Sequence, residues 1–391
     1  MNAPLARFSC EEIDEAVAWR RELHQMPELA FQEHRTSAFV AERLASFGLK
    51  VDVGLGGTGV VATLSRGTSS RVIGLRADMD ALAIHEATGL TYASRNVGRM
   101  HACGHDGHTA MLLAAARALS KSETLDGTVH FVFQPAEENE GGAERMVADG
   151  LFEKFPVEAI FGMHNWPALP LGRAGLTTGA MMAAFGIFEI EVKGKGAHGA
   201  MPHQGADPMA AMFQIGSALQ TIASRNVSPM SSAVVSVTTV HGGDAWNVIP
   251  DACRMSGTVR WFAPEVGDLI DARLKAIVHG IAEAMGCVAT IDYQRRYPAT
   301  INDATEARFV QGVIRDMAPA LVLEEDVEPS MGAEDFAFML QRKPGAYVWV
   351  GQGRGTGDAG LHSPRYDFND AALPIGASLW VRLAEARLAA A

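Results

Sequence analysis

Arg71-Val-Ile-Gly-Leu-Arg-Ala-Asp78 is a short, mostly apolar run that ends on a carboxylate. It is too short for a stable helix and begins on β-branched residues, so it reads as a buried strand. Thr128-Val-His-Phe-Val-Phe-Gln134 repeats the pattern and is stopped by Pro135, and residues 158–163 repeat it again ahead of His164-Asn-Trp-Pro167. Between the first two lies 107–120, rich in alanine and leucine, which predicts a helix. Upstream, the apolar spacing predicts helices over 11–26, stopped by Pro27, and over 35–47, stopped by Gly48. Short apolar strands separated by helices predict an α/β domain whose central mixed sheet is covered by helices on both faces.

The middle third follows a different pattern. Over 184–193, Phe188, Ile190 and Val192 alternate with Glu189, Glu191 and Lys193, as in a half-exposed strand. A helix follows, with Asp207 as N-cap and Pro208 in its first turn. Strands are expected at 232–241 and 252–262, a long helix from Pro264 to Gly286, and a last strand at 287–296. Strand, helix, strand, strand, helix, strand is the ferredoxin-like, split βαβ order. Residues 183–297 therefore read as an α+β domain inserted into an α/β domain made of 1–182 and 298–391. The outer domain resumes with helices near 303–318 and 332–340, a strand at 345–350 and a helix near 372–389. Gly351 to Gly360 is glycine-rich but lacks a P-loop ending, so it reads as a connection.

Bulk properties narrow the function. At 391 residues the chain exceeds what one core usually supports. The formal net charge of -12 argues against a nucleic-acid partner, which needs clustered Lys and Arg. The four cysteines, at 10, 103, 253 and 287, show no paired spacing, which fits a reducing compartment. The acidic start and the lack of a long apolar run predict a cytoplasmic protein with no membrane partner.

Metal-ligand residue types follow the expected strands. Asp78 follows the first, Glu137 and Glu138 follow Gln134-Pro-Ala136, His164 follows Gly162-Met163, and His362 lies past the strand at 345–350. Cys103 and His105 sit just ahead of a helix, in His101-Ala-Cys-Gly-His-Asp-Gly-His108. In open α/β sheets such positions converge beyond the carboxyl ends of the strands. Thiolate and imidazole suit zinc and similar divalent ions. An imidazole ligand needs a partner on its other nitrogen. Asp78, Asp80 and Asp106 are the candidates, and Asp78 is preferred because it ends a strand. Adjacent residues on extended chain point apart, so one of Glu137 and Glu138 can ligate while the other acts as general base. In the inserted domain, His198 stands among glycine and alanine, where a ligand can approach. Asn247 and Arg260 are weaker candidates for substrate binding, Arg260 because a guanidinium can grip a carboxylate. His24, His34, His85, His130 and His279 are read as packing or surface residues.

Arg76-Ala-Asp-Met-Asp-Ala-Leu82, Met100-His-Ala-Cys-Gly-His-Asp-Gly-His-Thr-Ala110, Phe133-Gln-Pro-Ala-Glu-Glu138, Gly162-Met-His-Asn-Trp-Pro167 and Leu361-His-Ser-Pro364 together resemble the aminoacylase, hippurate-hydrolase and indole-acetyl-amino-acid-hydrolase branch of the dinuclear metallopeptidases. The resemblance implies two divalent cations per subunit, zinc or manganese first and cobalt or nickel next, held by Cys103, His105, Glu138, His164 and His362. It implies Glu137 as general base, Asp78 as the residue that orients a ligand, and His198 as an oxyanion donor in its own or a partner's site. It implies that the inserted domain is a lid that pairs subunits into a homodimer. The activity implied is hydrolysis of N-acyl or N-aroyl amino acids to a carboxylic acid and a free amino acid. A metallo-exopeptidase or dipeptidase is the alternative, and a non-catalytic metal-binding dimer a remote one.

Overall fold

The computed structural model describes residues 8–325, 327–355 and 357–389. Contacts divide the chain into two units: Met1–Met181, Thr300–Glu328 and Asp335–Ala391 form the first, and Met182–Ala299 with Pro329–Glu334 the second. The segment Pro329–Glu334 leaves the outer domain to which its place in sequence had assigned it. The reason is backbone bonding: the Ala183 N–H donates to the carbonyls of Ser330 and Gly332 at 3.0 and 2.9 Å.

In chain order the main strands begin with β1 (Lys50–Leu55), β2 (Gly59–Arg66), β3 (Val72–Asp78), β4 (Gly127–Gln134), β5 (Ala159–Pro170) and β6 (Arg173–Gly175). They continue with β7 (Ala184–Lys193), β8 (Ala233–His241), β9 (Ala252–Trp261), β10 (Val288–Tyr297), β11 (Val322–Glu324) and β12 (Gly345–Gly353). The longer helices are α1 (Cys10–Gln25), α2 (His34–Ser46), α3 (His105–Ser120), α4 (Pro208–Thr221), α5 (Pro264–Ala284), α6 (Ala304–Asp316) and α7 (Leu373–Arg387).

The sheet of the first unit runs β1-β2-β4-β3-β5-β12-β6-β11. Its centre, β4, β3, β5 and β12, is parallel, while β1, β2 and the β12–β6 pair are antiparallel. The hairpin β1–β2 was not expected from sequence, although Gly56-Gly57 between runs of valine is a hairpin signal. Register matters for the site: Asp78 lies opposite Gln134, and Arg76 opposite both Val132 and Gly162. The carboxyl ends of β3 and β4 and the middle of β5 are thus level. Helix α3 is buried on nearly every side, packed on β3 and flanked by α1 and α7. Its alanines permit that close approach. α1 starts at Ser9, whose hydroxyl accepts the Glu12 N–H while the Glu12 carboxylate accepts the Ser9 N–H, a capping box.

The second unit is a four-stranded antiparallel sheet in the order β8-β9-β7-β10. Phe188, Ile190 and Val192 are buried against Met212, Ile215 and Leu219 of α4 and Ile270, Leu274 and Val278 of α5. The two helices follow the first and third strands, which gives the split βαβ topology. Among the described residues no helix is long and apolar enough to cross a membrane.

Candidate active site

The loop before α3 is shaped by Gly104, whose φ of +93° suits glycine. A Cβ there would lie 2.4 Å from Asn165 Oδ1 and 2.6 Å from the Tyr366 hydroxyl. Those two side chains instead form a buried brace. Tyr366 Oη donates to Asn165 Oδ1 at 2.5 Å, and Asn165 Nδ2 donates to the Cys103 carbonyl at 2.8 Å. The brace holds Cys103 and His105 against β5, where His164 sits.

The hydrogen bonds set the histidine tautomers. His108 Nε2 accepts the Asn165 N–H at 3.0 Å, so its Nδ1 carries the proton and donates to Asp78 Oδ1 at 2.6 Å. His164 Nδ1 donates to the Asn165 carbonyl at 2.6 Å, and its Nε2 lies 3.4 Å from Cys103 Sγ. His105 Nδ1 donates to the Asp80 carbonyl at 2.9 Å, with Asp80 Oδ1 at 3.2 Å, and its Nε2 is buried with no hydrogen-bond partner among the described residues. His105 and His164 therefore both hold a proton on Nδ1 and turn Nε2 toward the site, the orientation of metal-ligating imidazoles.

Pro135 ends β4, and the chain then turns through Ala136 (φ +54°) and Asn139 (φ +68°) on either side of Glu137-Glu138. Asp80 Oδ2 accepts the Glu138 N–H at 3.0 Å. Glu138 Oε1 meets His362 Nε2 at 3.1 Å. His362 itself has a φ of +63°, and its N–H donates to the Ala102 carbonyl at 2.8 Å, which ties its loop to that of Cys103. Two sets of ligand atoms, Cys103, His105, His164 and Cys103, Glu138, His362, each lie within 4.8 Å of one another, as do those of His105, Glu137 and Glu138.

These groups are electrostatically incomplete by themselves. Burial raises the Cys103 thiol well above its usual range, and Glu138, Glu137 and Asp78 push it further. Burial alone would lower His105, but Asp78 and Asp80 outweigh it and raise the imidazole to about 10. Burial, with His108 nearby, holds His164 well below its usual range and therefore neutral. A pocket that draws a proton onto a histidine and disfavours a thiolate wants positive charge. With sulfur, nitrogen and carboxylate donors converging and an orphaned Nε2, the residues fit divalent cations.

A second buried layer supports this one. Arg76 Nη1 pairs with Asp78 Oδ2 at 2.8 Å, Nε donates to Gln134 Oε1 at 2.7 Å, and Nη2 reaches Asp335 Oδ1 at 3.2 Å. Behind α3, Arg20 Nε and His24 Nδ1 meet Asp106 Oδ2 at 2.9 and 2.8 Å.

Residues 74–386 match the model of peptidase family M20/M25/M40. The chain belongs to that family. It is 41% identical to the hippurate hydrolase of Campylobacter jejuni, over 93% of this chain and 94% of that one. It is also 41% identical to an N-acetyl-L-cysteine deacetylase of Bacillus subtilis, over 91% and 84%. Among solved structures it resembles the Bacillus subtilis YXEP protein, a dinuclear metal-binding peptidase of the M20 family. The TM-score is 0.84 and the identity 36%, over 97% of this chain and 99% of that one.

Within this M20/M25/M40 chain the six residues expected at strand ends and in the loop, Cys103, His105, Glu137, Glu138, His164 and His362, are brought together. Asp78 is there too: it accepts from His108 Nδ1 at 2.6 Å and lies 3.9 Å from His105 Nε2. Asp80, two residues beyond the strand end, reaches the His105 Nδ1. His108 and Asn165 had been seen in sequence only as parts of motifs. His24, read as a packing residue, is a buried partner of Asp106. His198, Asn247 and Arg260 belong to the second unit. There His198 pairs in register with Val248, the Gly199 N–H donates to the Asn247 carbonyl at 2.8 Å, and the Arg260 guanidinium lies over the Phe185 ring at 4.6 Å.

Proposed function

We propose that the chain is a metal-dependent amidohydrolase that cleaves N-acyl or N-aroyl amino acids to a carboxylic acid and a free amino acid. The observation that carries this reading is the meeting of Cys103, His105, Glu138, His164 and His362 in one cation-seeking cluster, buried at Cys103, His105 and His164 and open at His362, with Glu137 beside it. These five residues would hold two divalent cations, Cys103 being common to two of the ligand groups; the thiolate and imidazole donors suit zinc, while manganese rests on the sequence resemblance. Bound there, the cations would lower the pKa of water and polarise a carbonyl. Glu137 takes the proton of the attacking water and returns it to the leaving nitrogen, so that the amide C–N bond breaks and a free amine departs. Asp80 and the Asn165 carbonyl keep His105 and His164 in their ligating tautomers. Asp78 acts through His108 and Arg76.

For Asn247 and Arg260 as substrate-binding residues the support is residue chemistry, a guanidinium being able to grip a carboxylate; for His198 as oxyanion donor it is the sequence resemblance. The same holds for the second unit as a lid that pairs two subunits. A cytoplasmic setting agrees with four free cysteines.

The test is a substrate panel on metal-loaded protein: N-acetyl, N-benzoyl and indole-acetyl amino acids against dipeptides, with elemental analysis of the bound metal. Preference for dipeptides would replace this reading with an exopeptidase. Glu137→Gln should retain metal and lose roughly 10²–10⁴-fold in kcat. Turnover that survives in Glu137→Gln would remove Glu137 from the role of base.

A further inference from the structure

Glu33 is a fully buried carboxylate that no step above uses. It stands at the start of α2, where its side chain makes no cap bond. Its Oε2 instead accepts the Thr58 hydroxyl at 2.7 Å, and its Oε1 accepts the Ala136 N–H at 2.8 Å. Ala136 is the residue before Glu137, and its φ of +54° is left-handed, a conformation that alanine seldom adopts. The other side of the Ala136 peptide is held as well: its carbonyl accepts the Gly142 N–H at 2.9 Å. Glycine is required there, since a Cβ on Gly142 would lie 1.7 Å from the Pro135 carbonyl oxygen. The amides on either side of Glu137 are therefore each held by a buried carboxylate, Ala136 by Glu33 and Glu138 by Asp80.

We infer that Glu33 is a positioning residue for catalysis: by locking the left-handed turn at Ala136 it aims the Glu137 carboxylate. The inference rests on Glu137 being the general base. Released from Glu33, Ala136 relaxes toward negative φ, and the direction of the Glu137 side chain relative to Glu138 changes. An error of about 1 Å in such a placement costs on the order of 10²-fold in rate. Burial pushes the Glu33 carboxyl up to about 7, against the bond from Thr58. An uncharged amide is therefore a close mimic of it, able to accept from Ala136 and donate to Thr58.

The test compares Glu33→Met, Glu33→Gln, Glu33→Met/Ala136→Gly and Glu137→Gln with wild type on metal-loaded protein and an N-benzoyl amino acid. Glu33→Met should lose about 10²-fold in kcat with KM and metal content little changed. Hydrogen exchange in the peptide 134–139 should rise in parallel. Glu33→Gln should keep both kcat and protection. Ala136→Gly should restore kcat to Glu33→Met, because glycine adopts the left-handed turn without help. A soluble, metal-replete Glu33→Met with wild-type kcat overturns the inference, as does a double variant no better than the single one. If Glu33→Met does not fold, Glu33→Asp carries the test. It keeps the charge but falls one methylene short, so its kcat must drop and Ala136→Gly must recover it; failure of either overturns the inference. Turnover in Glu137→Gln refutes the base itself. An inactive Glu137→Gln beside unaffected Glu33 variants refutes only the positioning role.

Discussion

Replacing Arg20 by methionine should destabilise the first unit by about 3 kcal/mol, toward the lower end of the roughly 3–5 kcal/mol seen when one partner of a buried ion pair is removed. Arg20 is fully buried and meets Asp106 at 2.9 Å, Asp367 at 2.8 Å and Asp370 at 3.4 Å. The last two carboxylates keep about a fifth of their surface in water (21% and 19% exposed), so solvent compensates them when the guanidinium goes. Asp106 has no such recourse, because its side chain is 0% exposed. Burial by itself would raise its pKa, but Arg20 and His24 hold it well below the usual carboxylate range. With methionine in place His24 still opposes its charge, which is why the lower end of the range applies. For a unit of this size, at roughly 2–4 °C per kcal/mol, the melting temperature should fall by about 6–12 °C. Calorimetry of Arg20→Met, Asp106→Asn and the double variant checks the reasoning. The double variant leaves no charge stranded, so its loss should be smaller than the sum of the single losses by about 1–3 kcal/mol. A loss below about 1 kcal/mol in Arg20→Met, or strict additivity, would refute the claim that a buried charge sets the cost.

Gly107→Ala should cost about 1–3 kcal/mol by overpacking, since the added Cβ would meet three Phe368 ring atoms at 2.3 to 2.5 Å; Phe368→Leu in the same chain should return part of the lost melting temperature. The His24 imidazole is raised to about 9: burial opposes this, while Asp106 and Glu86 outweigh burial and Arg20. That stabilisation is complete below pH 6.5 and is lost as pH rises through about 9. Melting temperature should therefore decline across this window in wild type and less in His24→Gln; equal slopes would remove His24 from the linkage. Chelation should abolish turnover and lower the melting temperature, and Cys103→Ser should reduce bound metal in elemental analysis, because the thiolate stands in both ligand sets. Full metal content in Cys103→Ser would take it out of both.

The sequence by itself determined the element types wherever periodicity was strong. Val72–Asp78 and Gly127–Gln134 are apolar runs too short for helices, and Phe188, Ile190 and Val192 could be buried together only on one face of a strand. It also singled out Cys103, His105, Glu137, Glu138, His164 and His362 as candidates, since they stand at strand ends or in a glycine turn, and the structure brings them together. What it left open was pairing at a distance. Asp78 and Asp80 both suit an imidazole, and only the reach of each side chain past the end of β3 decides that Asp80 takes His105 and Asp78 takes His108. The hairpin β1–β2, the return of Pro329–Glu334 to the second unit and the burial of His24 against Asp106 likewise depend on partners far away in the chain. The left-handed turn at Ala136 is the clearest case. Nothing in alanine asks for it, and Glu33, more than a hundred residues earlier in the chain, supplies the hydrogen bond that sustains it.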